Sequence, residues 1–425
     1  MCPSAGTYEN SSSAITDAVS ANSKKDPHGH VLRIAVASDL HAYADTPSGM
    51  ESPSKLQVPA GSVSPLEHPG TGLLALIQKE GLRADLLLSP GDLTFQADPK
   101  GLDYAWRLLH EAGVALGVQL TTGTVGNHDV ASRGRTDVEE ARDLLRRLRP
   151  LFPLPERSSC DQYWARNYAI WSGIGATLVL LNTCPLHTIG NKSEFERGLI
   201  TAETLKDLHS DLQEIPGNHL HILLCHHHPQ SHSELQLGET DVMVRGQLLL
   251  NTLELHGDWL VIHGHKHHPK ITYAAGGARS PVVFGAGSFS GNFGTAAETA
   301  TRNQFYIAEI YRPTSSPGLR GKVYSWNWAF GRGWMRSVGS TTGLPAKGGF
   351  GCRRHPDRLA DQIAATLSGS GAISWSVLCA KVQDLAFLLP SDYELVKNAL
   401  LKRYRLEILD DQGCPAEVGV SRERQ

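Results

Sequence analysis

No apolar run in this 425-residue sequence approaches the roughly 18 to 20 residues needed to cross a bilayer. The first thirty residues, MCPSAGTYENSSSAITDAVSANSKKDPHGH, lack the apolar centre of a secretory signal, so residues 1–30 read as a disordered polar leader and no membrane association is expected. Cysteine is sparse and scattered: Cys2, Cys160, Cys184, Cys225, Cys352, Cys379 and Cys414 make seven, an odd number without CxxC spacing. That pattern argues against a disulfide framework and against a thiolate zinc site, and it fits reduced thiols in a cytoplasm. An excess of charge of one sign is missing as well. The formal net charge of -3 gives no general pull toward nucleic acid or an anionic membrane, so a polyanionic substrate must be attracted locally.

What is present is a globular composition, 40% hydrophobic and 20% charged, in a chain long enough for one large domain with a small appendage or two comparable domains. Short apolar runs rich in leucine and β-branched residues recur at Val31 to Ala37, Leu86 to Leu88, Thr177 to Leu181, His221 to Cys225, Trp259 to Ile262 and Val282 to Phe284, and read as buried strands. Amphipathic stretches of helical period lie between them: GLLALIQKEG, LDYAWRLLHEAG, VEEARDLLRRLR and TAETLKDLHSDLQ, the last with Thr201 as N-cap. Alternating strands and helices predict an α/β layered domain over residues 31–337. The glycine-rich VGSTTGLPAKGGFG at residues 338–351 reads as a linker. Beyond it, residues 352–425 predict a helical module, with helices opened by His355-Pro356, by Ser374, and by a capping box of Ser391 and Glu394.

Histidine is the outlier, 20 residues against 10 phenylalanines, and many stand at the ends of apolar runs. Five motifs follow in order: Asp39-Leu40-His41, Gly91-Asp92, Gly126-Asn127-His128-Asp129, Cys225-His226-His227-His228-Pro229 and His263-Gly264-His265. Taken singly, Asp-x-His, Gly-Asp and Gly-Asn-His-Asp are commonplace turn sequences. Three consecutive imidazoles at a strand end have little structural rationale unless they coordinate something, and strand ends in α/β folds are where ligands gather. Carboxylate, amide oxygen and imidazole together suit manganese, iron or zinc better than calcium or magnesium.

Asp39-x-His41, Gly91-Asp92, Gly126-Asn127-His128-Asp129, His226 and His263-x-His265 resemble the signature of the calcineurin-like metallophosphoesterase superfamily, over about residues 31 to 290. The His-His-His-Pro run and Gly285-Ala286-Gly287-Ser288 are similar to its cyclic-nucleotide and glycerophosphodiester phosphodiesterase branch. The resemblance implies a four-layer αββα sandwich of two mixed sheets. It also implies two transition-metal ions, one on Asp39, His41, Asp92 and His265, the other on Asp92, Asn127, His226 and His263, with Asp92 bridging. His128 is then the non-ligand histidine that protonates the leaving alkoxide, Asp129 a candidate for orienting it, and His227 and His228 candidate substrate contacts. Two such ions lower the pKa of a shared water and clamp the phosphoryl oxygens, so attack by a metal-bound hydroxide on a cyclic nucleotide or small phosphodiester is the expected chemistry. A nuclease or phosphomonoesterase is the runner-up; the charge balance disfavours nucleic acid, and Arg146, Arg147 and Arg149 read as a solvated helix face. In another class altogether, the fold would serve as a scaffold whose C-terminal helices recruit a protein partner.

Overall fold

Runs such as Leu86–Ser89 and Leu220–Leu224 are apolar at nearly every position and buried at all of them, so they must be covered on both faces, and this requirement shapes the molecule. The computed structural model describes residues 31–46, 51–130, 141–187, 197–231, 242–293, 301–311, 318–337, 343–367, 371–411 and 413–421. The expected leader, residues 338–342 of the expected linker and residues 232–241 lie outside these. In chain order the elements are β1 (Val31–Val36), α1 (Pro69–Glu80), β2 (Leu86–Ser89), α2 (Pro99–Leu116), β3 (Leu120–Gly123), α3 (Ala141–Arg147), α4 (Arg157–Arg166), β4 (Tyr168–Gly173) and β5 (Ala176–Leu181). There follow α5 (Ala202–Asp211), β6 (Leu220–Leu224), α6 (Gly246–Leu255), β7 (Trp259–His263), β8 (Lys270–Tyr273), β9 (Val282–Gly285), β10 (Asn303–Tyr311), β11 (Arg320–Ala329), β12 (Gly333–Arg336) and β13 (Lys347–Phe350). The chain ends with α7 (Pro356–Leu367), β14 (Ala372–Ser374), α8 (Trp375–Lys381), a 3-10 turn at Gln383–Phe387, α9 (Pro390–Tyr404), β15 (Leu406–Asp411) and β16 (Cys414–Val420).

Two large mixed sheets result. One runs β12-β11-β10-β1-β2-β3 with β13 also on β11, the other β4-β5-β6-β7-β9-β8. Within them β1-β2-β3 and β5-β6-β7-β9 are parallel. Side-chain alternation sorts the layers: Leu178, Leu180, Ile222, Leu224, Leu260 and Ile262 join the core shared with the first sheet. Their neighbours Val179, Leu223 and Val261 turn the other way, onto Leu208 of α5 and Leu249 and Leu253 of α6. With α1 and α2 packed on the outer face of the first sheet through Leu73, Ile77, Leu102 and Leu109, the order is helix, sheet, sheet, helix, the expected sandwich. Thr201 caps α5 as expected, accepting from the Thr204 N–H at 3.0 Å.

The C-terminal region departs from a purely helical module, because β14, β16 and β15 form a three-stranded antiparallel sheet beside its helices. The segment Leu406–Asp411, inside the region expected to be helical, is one of its strands, alternating buried Leu406 and Ile408 with exposed neighbours. The expected capping box is not formed: Leu389 is the N-cap of α9, and Pro390, pre-set for helical φ at N1, opens it. Part of the expected linker is strand too. Residues 347–350 pair with β11, and the glycines there are close-packing residues: a Cβ on Gly349 would lie 2.9 Å from the Ala386 carbonyl and the Phe387 backbone. The region is further tied to the sheets by Tyr273, whose hydroxyl accepts from Gly351 N–H at 2.8 Å and donates to the Cys352 carbonyl at 3.1 Å, and by an Arg320–Asp384 ion pair at 3.1 Å. Gly349→Val is therefore expected to destabilise the chain by about 1–3 kcal/mol in urea unfolding, whereas a flexible linker would leave the midpoint unmoved.

Candidate metal centre

Parallel strands end on one edge, so the loops that follow β1, β2, β3, β6 and β7 converge there. Their backbones are interlocked: Asp39 N–H donates to the Gly91 carbonyl at 3.1 Å, His41 N–H to the Asp92 carbonyl at 2.9 Å, and Gly264 N–H to the His226 carbonyl at 3.1 Å. Ser288, in the Gly-Ala-Gly-Ser segment after β9, holds the Asp39 carbonyl through its hydroxyl at 2.7 Å. Glycine makes room for the carboxylates, since a Cβ on Gly126 would strike Asp92 and one on Gly264 would strike Asp39. Asp39, His41, Asp92, His265 and His267 all adopt left-handed φ, between 47° and 77°, a conformation that costs non-glycine residues energy and concentrates at functional sites.

The side chains meet in two groups across Asp92. In one, Asp39 Oδ1 lies 3.4 Å from His267 Nε2, which lies 3.0 Å from His41 Nε2. In the other, Asn127 Oδ1 lies 2.9 Å from His226 Nε2 and 3.1 Å from His265 Nδ1. Asp92 Oδ2 stands between, 3.7 Å from His41 Nε2 and 3.4 Å from His226 Nε2. Donors about 2.1 Å from one ion lie roughly 3.0 Å apart in an octahedron and roughly 3.4 Å apart in a tetrahedron, so these separations fit metal coordination. His226 carries the orientation expected of a ligand: Nδ1 is 3.0 Å from the Pro90 carbonyl, which fixes a proton there and leaves Nε2, facing Asp92 and Asn127, as the nitrogen that would exchange its proton for a metal.

Electrostatics agree. Burial opposes ionisation of Asp39, but the adjoining His267 imidazole outweighs it and holds the carboxyl well below its ordinary range. Asp92 is likewise kept anionic against burial, by His226 and His128. Burial brings His41 down to about 4 and His265 well below the ordinary imidazole value, so both offer neutral lone pairs. His226, which burial would also depress, is instead raised to about 9 by Asp92, its imidazolium standing in for a cation beside that carboxylate.

The structure brings together Asp39, His41, Asp92, Asn127, His226 and His265, but the fifth motif is displaced by two residues from expectation. His263 completes β7 with Nδ1 3.1 Å from the Gly264 carbonyl, and it belongs to no metal-ligand cluster among the described residues. His267 takes the place expected of His265 beside Asp39 and His41, and His265 the place expected of His263 beside Asn127. The reason is conformational: left-handed φ at His265 and His267 turns both imidazoles inward, while His263 still follows the strand. The signal was in the sequence, because His263-Gly264-His265 overlaps a second reading, Gly264-His265-Lys266-His267.

Asp129 has its two oxygens taken by backbone, accepting from Thr94 N–H at 3.0 Å and Gly126 N–H at 2.9 Å, so it locks the loop that carries Asn127 and His128. Burial, then Asp92, pushes its carboxyl up to about 7. The His128 ring stacks on Phe95 (centroids 5.2 Å) and meets His41 edge-on at 4.7 Å, while its backbone N–H donates to Asp92 Oδ1 at 2.7 Å. His227 and His228, expected as substrate contacts, are fully buried beside the ligands: His227 Nδ1 is 2.8 Å from Thr183 Oγ1, and the His228 ring stacks on His265.

Comparison with known proteins follows the same lines. The model of the calcineurin-like phosphoesterase family matches residues 32–269, and a second model, wHTH-Calcineurin_assc, matches residues 348–402. No curated protein matches. Among solved structures, similar folds occur in a purple acid phosphatase from yellow lupin (Lupinus luteus) seeds (12% identity, 71% of this chain and 52% of that chain, TM-score 0.43). They occur also in a 5'-nucleotidase precursor from Thermus thermophilus (12%, 69% and 54%, TM-score 0.37) and in the Haemophilus influenzae NAD nucleotidase (14%, 73% and 54%, TM-score 0.37). This chain spans about half the length of each of these three.

Proposed function

The chain belongs to the calcineurin-like phosphoesterase family, and from that premise we propose that it hydrolyses small phosphodiesters, cyclic nucleotides among them, at the centre built around Asp92. Members of the family are metal-dependent hydrolases of phosphoesters. In the proposed arrangement Asp39, His41, Asp92 and His267 would hold one ion, and Asp92, Asn127, His226 and His265 the other, manganese, iron or zinc suiting this donor set. When bound, such a pair supplies an activated water and neutralises charge on the phosphoryl oxygens. The observation that carries the reading is the position of Asp92 Oδ2 between His41 Nε2 and His226 Nε2, where one carboxylate would serve both ions.

The remaining chemistry falls to the protein. A diester expels an alkoxide, which needs a proton, and His128 is the non-ligand imidazole at the rim, half-buried and braced by Phe95. Asp129 keeps it in place by closing the loop on Thr94 and Gly126. The choice of diester is supported by the likeness of His226-His227-His228-Pro229 to the phosphodiesterase branch. Among the described residues no helix is long and apolar enough to cross a membrane, and the proposed substrates are small polar esters. Recruitment of a protein partner through the C-terminal helices is proposed as an additional role, supported by exposed Val377, Leu395 and Leu401 on α8 and α9.

A panel of cyclic nucleotides, linear diesters, phosphomonoesters and single-stranded DNA, assayed with manganese, tests the substrate class: diesters should turn over fastest, and a preference for monoesters or DNA would replace this reading by phosphomonoesterase or nuclease. Ligand assignment has its own test. His267→Ala should weaken metal affinity by roughly 10- to 100-fold or more, and His263→Ala should change it little. The opposite order, read by titration with manganese, would restore His263 to the centre.

A further inference from the structure

Cys184, His187 and His227 form a buried group next to the centre just described and have no part in the proposed reaction. The chain leaves β5 through Asn182-Thr183-Cys184-Pro185-Leu186-His187, and the His187 N–H reaches the Cys184 carbonyl at 3.4 Å, a turn that brings a thiol and an imidazole three residues apart to one side. The turn is clamped from α3: Arg142 Nη2 donates to the carbonyls of Cys184, Pro185 and His187 at 3.3, 3.0 and 3.2 Å. From the loop after β6 comes His227, seated over Gly198, where a Cβ would strike its ring. Thr183 Oγ1 lies 2.8 Å from its Nδ1, while its Nε2 is buried with no hydrogen-bond partner among the described residues. Donor atoms of Cys184, His187 and His227 all lie within 4.8 Å of one another, and all three side chains are buried.

A buried cysteine is usually a small apolar residue, and that reading accounts for Cys160 or Cys225. Here it leaves an imidazole nitrogen in the interior without a partner, at a cost of about 1–3 kcal/mol. We propose that Cys184, His187 and His227 bind a third metal ion of the zinc class, held by one thiolate and two imidazoles. Sulfur with nitrogen at this Cys-x-x-His spacing selects zinc over the oxygen-loving cations. Around a tetrahedral zinc the donors would stand roughly 3.4–3.7 Å apart, a closing within reach of rotation of the two imidazoles. Binding displaces the Cys184 thiol proton to solvent as the sulfur–metal bond forms. The ion is a positioning device. His227 lies between it and the catalytic centre, ring centroids 4.9 Å from His226 and 4.5 Å from His265, so fixing His227 fixes two ligands of the pair.

Cobalt(II) added to the metal-stripped full chain provides the test, because a cobalt–thiolate bond gives a near-ultraviolet charge-transfer band that oxygen and nitrogen ligands do not. The wild-type chain is expected to take up about three ions and show the band. Cys184→Ser should lose the band and one ion while retaining the other two, which also shows that the variant folds. His187→Gln should weaken the band, and Cys225→Ser should keep it. Absence of the band from the wild-type chain, or its persistence at full strength in Cys184→Ser, overturns the proposal; so does a wild-type content of only two ions.

Discussion

Asp92→Asn is expected to abolish most metal binding and to lower phosphodiester turnover by roughly 10³-fold or more, the largest effect of any single substitution in this chain. The side chain is nearly isosteric, so packing is unchanged, yet the amide carries no charge and offers one oxygen where the carboxylate offers two. Asp92 Oδ2 is shared by His41 and His226, and Oδ1 accepts from the His128 N–H at 2.7 Å. Removing the charge therefore weakens both ion sites and loosens the loop that carries His128. Calorimetric titration with manganese reads the first effect and a nitrophenyl diester the second. Tight binding of two ions by Asp92→Asn would show that the two donor groups do not share this residue.

His128→Ala is expected to behave in the opposite way toward metal. Its imidazole is held by Phe95 and by the edge of His41, not by a strand end, and the ligand set proposed here is complete without it. The variant should keep its ions and lose roughly 10²- to 10⁴-fold in turnover, the range expected for removing a general acid. The loss should shrink for nitrophenolate leaving groups, which need little protonation, and be full for alkoxides. A uniform loss across leaving groups would instead assign His128 to phosphoryl stabilisation, and loss of metal would make it a ligand.

The outline of this molecule was legible because its strands are buried on both faces: Leu86–Ser89, Ala176–Leu181 and Leu220–Leu224 announce themselves as apolar runs, and their carboxyl ends deliver Asp92 and His226 where the motifs said. Legibility failed where one local signal has two physical meanings. Glycine at 348 and 349 reads as flexibility, but it is there because Pro390 and the Phe387 backbone pack against β13. Leu406–Asp411 has apolar residues at both helical and strand spacing, and pairing with β16 decides for strand. In the last histidine motif the spacing allows two registers, and only the left-handed backbone at His265 and His267 selects which imidazoles turn inward. Cys184 gave no signal as an isolated cysteine, since its partner His227 arrives on the loop that follows the adjacent strand.

Return of activity to metal-stripped protein tests the central claim most directly. With chelator present, hydrolysis of bis(p-nitrophenyl) phosphate should fall to background, and manganese added back should restore it in proportion to occupancy of about two sites per chain. Full turnover by the stripped chain, or none in the manganese-loaded one, would contradict a phosphodiesterase that works through the Asp92 centre.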